Sequence, residues 1–143
     1  MLKLIRNFVC FTFILLPCCC FALRLGSHFH QGFYIENRTK NEILISDVAG
    51  PSSVFEGYVL PSKTYTRGEY SDEQLTEPNQ IFSHTIKITA KEGGAEICTI
   101  TGALYASYMA YQRVANSNPG KCSTMAHPSY SSYYEYDVLV NQV

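Results

Sequence analysis

Apolar and polar residues alternate with a period of two along most of the chain. In GFYIEN, Phe33 and Ile35 share one parity and Tyr34 and Glu36 the other; in EILISDV, Ile43 and Ile45 alternate with polar or mixed neighbours. IFSHTIKITA carries Phe82, His84, Ile86, Ile88 and Ala90 on one parity, with Ser83, Thr85, Lys87 and Thr89 on the other. Near the C-terminus Tyr134, Tyr136, Val138 and Val140 alternate against Tyr133, Glu135 and Asp137. Successive strand side chains point to opposite faces, so these four segments read as strands with one dry and one wet face.

Turn chemistry separates them. NRTKN follows the first strand, KEGG is a hairpin turn that returns into AEICTITG, and ANSNPGK is a loop by composition. SVFEGYVL and LPSKTYTR supply two further extended pieces. Residues 68–80, GEYSDEQLTEPNQ, are acidic with little apolar content and are expected to form a long surface loop. ALYASYMAYQRV, 103–114, fits two patterns: Leu104, Tyr108 and Tyr111 make a helical stripe, yet its neighbours are all strand-like, and strand is the preferred reading. Seven or eight short strands without βαβ alternation predict an all-β fold, an antiparallel β-sandwich, with a small β-barrel as the alternative. Strands near 33 and 136 are candidates to pair and bring the two ends together.

The N-terminus breaks the alternation. Lys3 and Arg6 precede an uncharged run, NFVCFTFILLPCCCFA, of about 16 residues, short of the roughly 20 that a spanning helix needs. A basic start, an apolar run and a small final residue predict a signal peptide over 1–22, cleaved after Ala22, and a single β-sandwich domain over 23–143. Cys10, Cys18, Cys19 and Cys20 then leave with the signal. Lipidation at Cys18, or retention as an anchor with acylated cysteines, are the competing readings; Pro17 stands where a lipoprotein box wants a small residue.

Charge and cysteine narrow the class. The chain has 11 basic and 12 acidic residues, and removal of Lys3 and Arg6 leaves an acidic mature protein, which argues against a nucleic-acid partner and against an anionic membrane surface. Only Cys98 and Cys122 remain after cleavage. In an exported chain they are expected to form a disulfide worth about 3 kcal/mol in the chain-entropy model. The expected location is secreted or periplasmic, with no membrane span in the mature chain.

Few constellations suggest chemistry. His28 and His30, two apart, put both imidazoles on one face of a strand and are the candidate metal ligands, with copper the alternative cofactor; a cut after Leu25 or Ser27 would add a chelating N-terminus. A third ligand would come from His84, His127 or a carboxylate. His84 on an apolar face reads as a core residue satisfied by one hydrogen bond. His127 with Asp137 and one of Ser129, Ser131 or Ser132 is the only hydrolytic nomination, without a nucleophile elbow or an oxyanion loop. Asn37-Arg38-Thr39 matches a glycosylation acceptor.

Tyrosine is the compositional oddity: eleven, all beyond residue 22, with no tryptophan. Tyr105, Tyr108, Tyr111, Tyr130 and Tyr133 are the candidate binding residues, since a rigid ring with a polar tip suits recognition of a protein or glycan. The expected function is an exported, non-catalytic binding module, in one version an enzyme inhibitor presenting the acidic 68–80 loop. A small copper-binding protein and a structural component of an envelope, accepting a neighbour's strand at a sheet edge, are the alternatives.

Overall fold

Inward-facing apolar side chains at alternate positions pack beneath the first and last described strands, which a parallel backbone ladder joins side by side. A computed structural model describes residues 25–50, 55–68, 71–106, 110–127 and 133–143. Every regular element among them is a strand: β1 (His28–Asn37), β2 (Ile43–Ala49), β3 (Tyr58–Leu60), β4 (Tyr65–Arg67), β5 (Ser71–Gln74), β6 (Gln80–Ala90), β7 (Glu96–Ala106), β8 (Ala110–Asn116), β9 (Cys122–His127) and β10 (Tyr133–Val140). No described helix is long and apolar enough to cross a membrane. The proposed signal segment, Tyr108 and Tyr130 lie outside the described residues.

Two sheets pack as a sandwich. One has the order β4-β1-β10-β9, with β5 also on the outer edge of β1; the other runs β3-β2-β6-β7-β8. β1 is long enough for β5 to pair with His28–Gln31 and β4 with Tyr34–Glu36 along the same edge. Ladders are antiparallel except between β1 and β10, which run parallel with Phe33 opposite Tyr136. The pairing expected of the chain ends is therefore present.

The strand count differs from seven or eight for physical reasons. β5 lies inside the expected acidic loop: its backbone pairs with β1, and burial of Ser71 and of Leu75 just beyond it offsets the lack of apolar residues in SDEQ. β9, CSTMAH, is a sheet edge with one fully buried residue, Cys122, and Ala126 packed partly against the core. The ambiguous 103–114 segment divides between the end of β7 and β8, so the strand reading holds on both sides of 107–109. In the KEGG turn, Gly93 and Gly94 both take positive φ, 75° and 63°, which L side chains rarely adopt.

The core fills two clusters. The larger contains Phe33, Ile35, Ile43, Ile45, Ile86, Ile88, Ile100, Val138 and Val140, and is crossed by the Cys98–Cys122 disulfide joining β7 to β9. The smaller holds Phe29, Leu75, Phe82, Leu104 and Ala106. Burying side chains of this size contributes about 2 kcal/mol each. Gly102 allows the sheets to close: a Cβ there would lie 2.5 Å from the Tyr136 ring.

Asn37 ends β1 as an internal clamp. Its Nδ2 donates to the carbonyls of Asn41 (2.8 Å), Leu60 (3.2 Å) and Pro61 (3.1 Å), while Oδ1 accepts from Thr39 N and Thr39 Oγ1. The side chain is fully buried. The acceptor pattern at 37–39 thus serves, in the folded chain, to knot two turns together.

Candidate functional site

The hairpin β7–β8 decides which tyrosines meet. Its register sets Tyr105 opposite Tyr111 and Ala103 opposite Arg113, while β6 places Ile81 beside Tyr105. Outward parity then gives a row, Ile81–Tyr105–Tyr111, across three strands. The two rings stack with centroids 4.7 Å apart and planes 5° from parallel. Neighbouring strands lie about 4.8 Å apart, so the stack runs across the sheet rather than along a strand. Ile81 and Tyr111 are exposed, and a shallow depression of about 240 Å³ is lined by Asn79, Gln80, Ile81, Tyr105, Ala106 and Tyr111.

Polar groups flank this row. The Arg113 guanidinium carbon is 5.4 Å from the Tyr105 centroid and 5.6 Å from that of Tyr111. A cation on the outer face of either ring would be a full ring spacing farther from the other, so near-equal distances put Arg113 alongside the pair. Gln80 is fixed by the preceding turn, its Oε1 accepting from Thr76 N (2.9 Å), Thr76 Oγ1 (3.2 Å) and Glu77 N (3.3 Å).

Tyr133 stands apart from this group. It projects from β10 on the outer face of the other sheet and stacks on His30, with centroids 4.5 Å apart. Tyr134 packs against the smaller cluster and Tyr136 is fully buried. Among the described residues, the candidates Tyr105 and Tyr111 share one surface and Tyr133 lies on the other sheet, while Tyr134 and Tyr136 belong to the interior.

The histidine pair shares a carboxylate. His28 Nδ1 lies 2.9 Å and His30 Nδ1 3.8 Å from Asp72 Oδ1 of β5. Among the described residues no three His, Cys, Asp or Glu side chains are arranged to hold a metal ion. On the same face Arg67 grips Glu135 at 2.7 Å and 3.1 Å, and His127 Nε2 sits 2.9 Å from Asp137 Oδ2. Partial burial raises the Asp137 carboxyl above its ordinary range, with His127 opposing. The nominated His–Asp contact is present; Ser129, Ser131 and Ser132 lie outside the described residues.

Between the two apolar clusters runs a polar layer that patterning did not reveal. His84 Nε2 bonds Asp47 Oδ1 at 2.8 Å, as expected of a core histidine. The Tyr136 hydroxyl donates to Gln31 Oε1 at 2.8 Å, with Gln112 beside it. Gln31 Nε2, Glu73 Oε1, His84 Nδ1 and Gln112 Oε1 have no hydrogen-bond partner among the described residues. Burial raises the Glu73 carboxyl, opposed by the charge of His84. Of the acidic loop's carboxylates, Glu73 thus turns inward and Asp72 is engaged by histidine, which removes two from any surface that an inhibitor would present.

Ile81 and Arg113 escaped sequence reasoning. Ile81 was detectable as the one large apolar residue on the otherwise polar parity of IFSHTIKITA. Arg113 shares the outward parity of Tyr111 two positions away, a signal usable only once 110–116 is known to be a strand. No protein-family model and no curated protein matches the chain.

Proposed function

We propose that the protein is an exported, non-catalytic binding module that takes a glycan on the outer face of β6, β7 and β8. The row Ile81–Tyr105–Tyr111 carries this reading: exposed aromatic rings in one shallow depression that polar residues also line suit the C–H faces and hydroxyls of a sugar. The Cys98–Cys122 disulfide fits an oxidising compartment, outside the cytosol. Export follows from the N-terminal pattern of charge and hydropathy.

The full chain, recovered from an exporting host, is to be screened against immobilised oligosaccharides beside Tyr105→Ala/Tyr111→Ala. Saccharide binding that the double variant loses while keeping its melting temperature supports the reading. Binding that survives the double variant, or capture of proteins alone, overturns it.

A further inference from the structure

Tyr111 occupies a particular place in the aromatic row. Because the stack runs across strands, Tyr105 is flanked on one side by Ile81 and on the other by Tyr111. β8 is the last strand of its hydrogen-bonded sheet, so no strand of that sheet pairs beyond Tyr111, although β9 of the other sheet comes close to β8, with Asn116 Nδ2 donating to the Cys122 carbonyl. One face of its ring is taken by Tyr105, and the residue remains 45% exposed, which leaves the other face accessible.

Arg113 adds charge beside the stack. Its guanidinium carbon lies beside both rings, 5.4 Å and 5.6 Å from their centroids. Among the described residues no ion pair forms at Arg113. Its surroundings on the sheet are uncharged: Ser83, Ala103, Thr85, Thr101 and Ala115 are the nearest outward neighbours on β6, β7 and β8. Lys87, farther along this face, is already paired with Glu96 at 3.3 Å. A chain that carries net negative charge thus presents one unpaired guanidinium beside an open aromatic ring.

We infer that Tyr111 and Arg113 form a subsite for a carboxylate-bearing sugar, the pyranose ring lying on the open face of Tyr111 and its carboxylate meeting Arg113. The geometry suits the two requirements together. A planar guanidinium binds carboxylate through paired N–H···O bonds, and a sugar's axial hydrogens face an aromatic ring at van der Waals distance. Asn79 and Gln80 line the far end of the same depression, where the neighbouring sugar residue would lie. This inference rests on the glycan reading and narrows it to a charge class.

The test uses the full chain with two probes of similar length, an oligogalacturonate and a neutral cello-oligosaccharide, titrated calorimetrically. The oligogalacturonate is expected to bind at least tenfold tighter than the neutral probe, and to weaken as salt rises from 0.05 to 0.5 M. Arg113→Gln should bring it to the level of the neutral probe, Arg113→Lys should restore part of the difference, and Tyr111→Ala should abolish binding of both. Equal affinity for the two probes, with Tyr111→Ala still abolishing it, overturns the charge assignment and leaves the glycan reading standing. Preference for an acidic peptide, or no binding of either saccharide, overturns both. Melting temperatures of the variants, expected to match the wild type at these outward positions, separate lost binding from lost fold.

Discussion

The two outer faces of the sandwich handle charge in opposite ways. On the sheet of β4, β5, β1, β10 and β9, charged side chains have partners: Arg67 with Glu135 and Arg38 with Glu36 as ion pairs, and Asp137 and Asp72 in contact with the His127 and His28 rings. On β6, β7 and β8 of the other sheet, outward positions are mostly threonine, serine, alanine and tyrosine, with Thr85 and Thr101 bonded to each other at 2.9 Å; Lys87 pairs with Glu96 at one end of this face, and Ile81 and Arg113 stand at the other. A laterally paired charge has already been satisfied and offers little to a ligand. An aromatic edge beside an unpaired guanidinium has not, which is why recognition is placed there.

The core beneath both faces sets the largest expected effect. Gly102 on β7 lies under the Tyr136 ring of β10, and a Cβ would approach Cε2, Cδ2 and Cζ to 2.5–2.7 Å. Gly102→Ala should therefore push the sheets apart and cost about 3 kcal/mol, measured as a lower urea midpoint. Both faces should suffer together, with saccharide binding and the salt-dependent part of stability falling in one variant. A stability within 0.5 kcal/mol of wild type would mean that the intersheet spacing relaxes freely.

Tyr111→Ala separates the faces. It should abolish saccharide binding, while stability changes by no more than about 0.5 kcal/mol. Isothermal titration and thermal melts on one sample give both numbers. A variant that binds normally removes the β8 edge from function and shifts attention to Tyr133 and His30 on the charged face.

What could be read beforehand follows from how burial marks a sequence. β1, β2, β6, β7 and β10 were legible because each has one dry face, and Phe33, Ile45, Ile86 and Val138 recur every second position. β5 was hidden because SDEQ is held by edge hydrogen bonds to β1, and backbone pairing leaves no trace in side-chain type. The polar layer was hidden for a related reason: Gln31, Glu73 and Gln112 look like surface residues unless their partners across the sandwich are known. Tyr105 and Tyr111 were nominated singly. Their stacking depended on whether 103–114 turned as a helix, which would have grouped Leu104, Tyr108 and Tyr111, or as two strands, which brings 105 against 111.

Glu73 gives an intermediate effect of opposite sign. Its carboxyl is raised by burial, so the folded state holds this proton more tightly than the unfolded chain does. The stability it contributes is complete at acid pH, below the unfolded value, and is lost as pH rises through the folded value, above the ordinary carboxylate range. Glu73→Gln removes that loss. At pH 7 the variant should be more stable by about 1 kcal/mol, since a buried anionic oxygen without a partner is replaced by a neutral amide. Urea melts from pH 3.5 to 7.5 should show the two curves converging at the acid end. A destabilised variant at pH 7 would show that the anion is held by His84 more strongly than burial opposes it.

The smallest effect belongs to the charged face itself. Arg67 meets Glu135 with both a 2.7 Å and a 3.1 Å contact, but Arg67 is largely exposed, and pairs of this kind contribute about 0.5 kcal/mol. Asp137, two positions along the same strand face, adds a like charge near Glu135. Arg67→Met alone should therefore cost more than Arg67→Met with Glu135→Gln, because the single change leaves two neighbouring carboxylates with one cation fewer. A double-mutant cycle should give a coupling of about 0.5 kcal/mol that shrinks between 0.05 and 0.5 M salt. Saccharide affinity should be the same in all four proteins of the cycle. If it falls with Arg67, the lateral pairing is not a closed account of that face's charges, and the division of labour between the two sheets fails at the point where it is simplest to test.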